Sequence, residues 1–276
     1  MLVVHHLGIS QSDRIVWLCE ELGIPYELER YDRDPVTRLA PPAYRALTPY
    51  GTAPVIVDNE LTLGETGAIV EYLVAVHGGG RLSIKPGEPG YADYLHWFHF
   101  ANGSMVPAAI NTMLASIVEG ADAGLLASIA DRLDRAFDHV EARLGDAPWF
   151  AGDSFTAADV MMVFSLTTMR IFVPRDLAPY PAIRAYLQRI GARPAYRHAM
   201  AKADPGFDVP LSYGRLRWPS RTIPRASRRT PIRCALQRAF STATWMPSGT
   251  STMAPPAATL RKAAPISTCA CSASSA

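Results

Sequence analysis

Cysteine is scarce in this chain of 276 residues: Cys19 stands alone before residue 209, and Cys234, Cys269 and Cys271 follow far behind it. That spacing builds no disulfide framework, and Cys269-Ala270-Cys271 lacks the second ligand pair of a zinc site. No Cys-x-x-Cys follows the first strand pattern, so a dithiol redox pair is missing too. Long apolar runs are equally absent. None approaches the ~20 residues of a membrane-spanning helix, which excludes a channel or transporter. The start, Met1-Leu2-Val3-Val4-His5-His6, has no basic segment leading into an apolar stretch and a small-residue cleavage site. A cytoplasmic protein with no membrane partner is expected.

Acidic residues vanish after Asp208. All 25 Asp and Glu lie at or before it beside 17 of the 27 Lys and Arg, a net of −8, and the other 10 basic residues stand beyond it without a single acid. Residues 209–276 are rich in Arg, Pro, Ser, Thr and Ala with no period of 2 or 3.6, so this tail is expected to be disordered for want of apolar surface to bury. Arginine can neutralise phosphates without a fold. Here it is spread thinly and lacks the interleaved aromatics of a stacking surface, so no nucleic-acid partner is expected. The joint loss of acids and periodicity points to a segment read out of frame or left from a fusion.

The region before Asp208 is patterned. Leu2 to Leu7 reads as a buried strand, and Ile15, Leu18, Cys19 and Leu22 form one apolar helix face that stops at Gly23. Tyr26 to Tyr31 alternates as a second strand, parallel to the first across the helix. After a proline-containing stretch from Asp34 to Pro49, Val55-Ile56-Val57 and Leu61-Thr62-Leu63 flank the turn residues Asp58-Asn59-Glu60, a hairpin pattern. A helix opens near Glu65 and ends at Gly78-Gly79-Gly80. Residues 81–90, with Pro86-Gly87-Glu88-Pro89-Gly90, read as a linker. Beyond it only helical patterns occur, near 91–118, 123–144, 156–172, 181–191 and 194–202. The fold class is therefore α/β plus all-α.

Four motifs occur in order: Ser10-Gln11-Ser12-Asp13-Arg14 after the first strand, Ala53-Pro54-Val55-Ile56 before the third, Glu65-Thr66-Gly67-Ala68-Ile69 opening a helix, and Gly152-Asp153-Ser154-Phe155-Thr156-Ala157-Ala158-Asp159. In this order and separation they resemble the cytosolic glutathione transferases over residues 1 to about 208. His5-His6-Leu7 with Ala40-Pro41-Pro42 is similar to a bacterial, serine-type branch. The resemblance implies a thioredoxin-like glutathione-binding domain over 1–80, the linker 81–90 and an all-helical domain over 91–208. It also implies a homodimer, glutathione as co-substrate and a small electrophile as its partner.

Site residues follow from the same likeness. Ser10 would donate to the glutathione sulfur and hold it as thiolate, with Ser12 in reserve; either hydroxyl equally suits capping of the helix that follows. Arg14 would orient a serine or solvate the helix face. A cis bond before Pro54 would turn the Ala53 backbone toward the cysteinyl unit, Thr66 would hold the γ-glutamyl carboxylate and Glu65 would lie by its amino group. Thr52 stands where many relatives carry Lys, and Arg38 would compensate at the glycyl carboxylate. Phe100, Met105 and Pro107 are candidates for the electrophile pocket, although aromatics at helical spacing are usually core. Thr156 and Asp159 have capping-box spacing and are assigned to folding. Adjacent His5 and His6 point to opposite faces of a strand and make poor joint ligands, so no metal is expected. Conjugation of glutathione to electrophilic carbon is the leading activity. Glutathione-dependent disulfide or peroxide reduction, and a non-catalytic glutathione scaffold, are the alternatives.

Overall fold

The structure, a computed structural model, describes residues 1–211. Cys234, Cys269, Cys271 and the tail's expected disorder lie outside the described residues. The chain opens with β1 (Leu2–Leu7), α1 (Asp13–Leu22) and β2 (Glu27–Tyr31). β1 and β2 pair in parallel, as a strand–helix–strand crossover requires. At the end of α1, Gly23 takes a left-handed φ of 63°, and Ile24 N–H donates to Cys19 O at 2.9 Å, closing the helix. β3 (Val55–Asp58) and β4 (Leu61–Gly64) follow as a hairpin whose tip, Asn59, has φ 53°. The sheet order is β2-β1-β3-β4, with β3 antiparallel to both its neighbours.

Between β2 and β3 lies a short helix, α2 (Pro42–Arg45), in the stretch read from sequence only as proline-containing. Four residues are too few to show a helical period; Pro at its first position starts it. It sends Tyr44 into a small core with Leu7 and Val55, flanked by Ala40 and Ala53. After β4 comes α3 (Thr66–Tyr72), continued by a π-helical turn, Leu73–His77. Gly78 closes that turn with its N–H on Leu73 O, and a Cβ there would lie 2.8 Å from Val74 O. Only glycine fits.

The helical half begins with α4 (Tyr91–Phe100), a π-helical turn (Ala101–Met105) and α5 (Val106–Ala115), one continuous rod. Pro107 explains the widened turn. It has no N–H for the carbonyl four residues back, and its ring would collide with that carbonyl in a regular α-helix. Next come α6 (Ala123–Asp146), α7 (Ala157–Leu166), α8 (Met169–Phe172), α9 (Pro181–Ala192) and α10 (Pro194–Ala203). Every residue of α7 is buried, which is why its sequence is apolar all round. Its start carries the capping box: Thr156 N–H donates to Asp159 Oδ2 at 2.9 Å, and Phe150 N–H to Asp159 Oδ1 at 3.1 Å.

One core runs through both halves, from Val4 and Trp17 to Val160 and Tyr196. Polar ties reinforce it. Arg193 makes a two-pronged ion pair with Glu21 at 2.6 and 2.7 Å, and Arg30 Nε donates to Ala203 O at 2.7 Å. Composition put the start of the tail at residue 209, at the last acid. Val209 and Leu211 instead pack on the core, and Pro210 O accepts from Arg170 at 3.1 Å. Loss of acids marks a change of charge, and packing responds to apolar surface.

Candidate active site

Strand register brings the candidate residues together. Because His5 lies opposite Val55, the chain beyond Leu7 emerges beside Ala53 and Pro54. Val55 lies opposite Gly64, so Glu65 and Thr66 arrive at the same edge, where Gly64 stands close to Pro54 O. The Ala53–Pro54 peptide is cis. Arg38 stands two residues before Ala40, which with Ala53 flanks the small core around Tyr44.

The loop after β1 is held hard. Ile9 takes φ 51°, a left-handed conformation costly for a β-branched residue. Its neighbours over-determine it. Ile9 N–H donates to the Asp204 carboxylate at 3.1 and 3.3 Å, while Arg33 donates to Gly8 O at 2.9 Å and Ile9 O at 3.2 Å. A third Arg33 bond reaches Arg38 O at 3.0 Å, so the segment bearing Arg38 is docked on this loop. Burial pushes the Arg33 guanidinium down to about 10, which leaves it charged at neutral pH.

Ser10 and Ser12 differ in access. Ser12 is sealed, and its Oγ accepts Leu7 N–H at 3.1 Å and sits 2.8 Å from both Ser10 Oγ and His6 Nδ1. Neither serine side chain caps α1 in the expected way: Ser12 is the residue before the helix, yet its hydroxyl turns back to β1. Ser10 keeps 6 % of its surface and spends its inner side on Ser12, whose N–H reaches Ser10 Oγ at 3.3 Å.

Arg14 does not orient a serine, nor does it solvate the helix. It is fully buried between the two halves of the molecule, donating to Met161 O at 2.7 Å, Asn102 Oδ1 at 3.0 Å, Thr66 Oγ1 at 3.3 Å and Gln11 Oε1. Thr66 Oγ, accepting from Arg14, keeps its own proton to donate. Glu65 beside it is exposed, with φ 67°. Burial lowers Arg14 to about 10 and raises Asp13 to about 6.

Comparison with known proteins carries these features to a family. Residues 10–76 match the glutathione S-transferase N-terminal domain and residues 105–194 the C-terminal domain. Glutathione S-transferase 3 of Schizosaccharomyces pombe is 34% identical over 224 residues, 74% of this chain and 88% of that protein. A crystal structure of a glutathione S-transferase from Actinobacillus pleuropneumoniae superposes with a TM-score of 0.68 at 32% identity, over 74% of this chain and 93% of that one. The chain belongs to the glutathione S-transferase family. Its enzyme class is that of a glutathione transferase, with a thioredoxin-like domain followed by a helical one. Glutathione S-transferase GstB of Escherichia coli is 27% identical over 194 residues, 67% of this chain and 89% of that protein, so the similarity spans yeast as well as bacteria.

Two candidates for the transferase's electrophile pocket stand elsewhere. Met105 is 1 % exposed and belongs to the core. Phe100 lines a groove of about 390 Å³ with Ser104, Arg132, Arg135 and His139, between the α4–α5 rod and α6. Helix geometry explains this placement: Asn102 faces Arg14, so residues 100 and 104, two steps to either side, face away. Pro107 is half-buried on the rod. Cys19 supplies no usable thiol, since burial pushes it up to about 12. Among the described residues, no three His, Cys, Asp or Glu side chains gather as metal ligands. Sequence reasoning missed Arg33, His6 and Asp204 as supports of the loop; Asp204 lies 195 residues from Ile9, and no local pattern joins them.

Proposed function

We propose that this transferase conjugates the thiolate of glutathione to small apolar electrophiles, removing reactive compounds in the cytoplasm. Ser10 donates to the sulfur, the Ala53 backbone pairs with the cysteinyl unit, Thr66 donates to the γ-glutamyl carboxylate with Glu65 near the amino group, and Arg38 takes the glycyl end that Thr52 leaves without a cation. Pro107 borders the electrophile. The observation that carries this reading is that of the two serines after β1 only Ser10 keeps any exposed surface, while Ser12, bonded to it at 2.8 Å, is sealed. A donor to a developing thiolate lowers the thiol pKa, and a charged acceptor strengthens the bond.

Ser10→Ala tests it. Glutathione affinity at low pH should hold, while the bound thiol's pKa rises by about 1–2 units, the worth of a hydrogen bond to a charged group. Turnover at neutral pH should fall accordingly. A thiol titration unmoved by the substitution would remove Ser10 from the role. Assays of conjugation and of disulfide reduction on the same protein separate transfer from reduction, and binding without either turnover would leave a scaffold.

A further inference from the structure

His6 comes from the His5-His6 pair that the sequence singled out and that the proposed chemistry does not use. It is sealed from solvent in β1, yet polar groups meet both ring nitrogens. Nδ1 lies 2.8 Å from Ser12 Oγ, and Nε2 lies 3.1 Å from Asp204 Oδ2, in ion-pair contact though out of line for a hydrogen bond. Ser12 Oγ in turn lies 2.8 Å from Ser10 Oγ. The geometry points to His6 and Asp204 as positioning residues for Ser10: the buried chain Asp204–His6–Ser12–Ser10 aims each hydroxyl proton so that Ser10 donates outward to the glutathione sulfur. This rests on the reading of Ser10 given above.

Counting protons shows why. A hydroxyl has one proton to give and room to accept two. Ser12 Oγ already accepts Leu7 N–H at 3.1 Å. When His6 Nδ1 also donates to it, Ser12 has accepted twice, and its own proton goes to Ser10 Oγ at 2.8 Å in preference to Leu7 O at 3.4 Å. Ser10, accepting from Ser12 Oγ and from Ser12 N–H at 3.3 Å, then has both inner sites filled. Its proton must point out of the network, where the sulfur binds. If Nδ1 presents a lone pair instead, Ser12 donates to the ring and its free lone pair competes with the sulfur for the Ser10 proton. The direction of one buried bond thus biases the Ser10 proton outward or inward.

Asp204 holds the ring from its other side: its Oδ2 lies 3.1 Å from Nε2, opposite the nitrogen that meets Ser12. The same carboxylate accepts Ile9 N–H, so the group that faces the ring also holds the loop carrying Ser10. Asp13, at the start of α1, faces both members of this pair, and Arg33, from the segment after β2, faces Asp204.

The experiment titrates the bound glutathione thiol, and measures kcat and KM, in the full chain and in Ser10→Ala, Ser12→Ala, His6→Phe and His6→Asn. Phe fills the ring's space and donates nothing; Asn offers an amide N–H near the Nδ1 position. His6→Phe should raise the bound thiol's pKa by about one unit, about a tenfold loss of thiolate and of kcat at neutral pH. KM for glutathione should change little, and rates should converge at high pH. His6→Asn should restore most of the loss, and Ser12→Ala should shift the titration in the same direction even if His6→Phe does not fold. If Ser10→Ala moves the titration while Ser12→Ala and the folded His6 variants leave it in place, the relay is overturned and Ser10 stands. If Asn is as impaired as Phe, proton direction is not what His6 provides. If Ser10→Ala itself has no effect, both readings fall.

Discussion

At the scale of single residues, the site is built by buried polar groups whose partners come from distant parts of the chain. Thr66 shows the pattern: Arg14 occupies one lone pair of its hydroxyl and so frees the proton for a ligand. Thr66→Val should therefore raise KM for glutathione by the equivalent of about 1.5–3 kcal/mol, the range for hydrogen bonds to charged groups, with kcat nearly unchanged because that end of glutathione does not react. Steady-state kinetics with glutathione as the varied substrate checks it. Asp13 makes the opposite kind of statement. One carboxylate oxygen accepts from Thr168 Oγ at 2.7 Å, the other has no partner, and burial raises the group from 3.8 to about 6. In that window the folded protein binds more protons than the unfolded one, so this group's contribution is greatest below pH 4 and is lost as pH rises through 6. Relative to wild type, Asp13→Asn should gain stability between pH 4 and 7, by up to about 3 kcal/mol at about 1.4 kcal/mol per unit. Denaturant midpoints of both proteins across that range measure the difference.

Elements are held by their ends. The capping box of α7 satisfies the helix start and, through Asp159 Oδ1, also the N–H of Phe150 in the loop before it. Asp159→Ala removes the acceptor from both, so the loss should exceed that of a cap alone and reach about 2–4 kcal/mol. Chemical denaturation should show it, with Ser154→Ala, exposed in the same loop, as a neutral comparison. Because α7 packs against both α4 and α1, a loosened start of α7 should also weaken glutathione binding without any change at a contact residue. Pro107 works by the opposite means, forcing one widened turn into a long rod and thereby setting which side chains face Arg14.

For the whole molecule, the decisive feature is the shared core between sheet and helices. Trp17 of α1 packs edge-on to Tyr196 of α10 at 4.9 Å, and the Arg193–Glu21 pair closes the same seam. The loop bearing Ser10 therefore depends on the end of α10, through Asp204. A chain ending after Leu211 keeps every contact described here and should match the full chain in thermal midpoint and glutathione affinity. One ending before Asp204 should lose both. A homodimer is a further proposal at this scale: Leu61, Val76 and Leu95 are exposed apolar side chains, and the family likeness suggests pairing of one copy's sheet domain with the other's helices. Light scattering should give twice the chain mass at micromolar concentration, and a monomer mass would refute it.

Local pattern alone determined a good deal. The four strands, the helix faces, the capping box and the two-part organisation were legible because each depends on neighbours within about one or two turns, where the periods of 2 and 3.6 operate. The segments around Ser10, Ala53–Pro54 and Glu65–Thr66 were picked out by their likeness in order and spacing to a known family, and the strand register then brings them to one edge of the sheet. Only the tertiary structure decided that Arg14 is a buried tie between domains, that Phe100 faces away from the loop and Met105 is core, and that Val209 and Leu211 pack on the core. The same holds for the line from Asp204 through His6 and Ser12 to Ser10. These facts concern the direction of single side chains and partners up to 195 residues apart. No periodicity reports such meetings, because they are fixed by how whole elements pack and by which buried polar atoms then have to find each other.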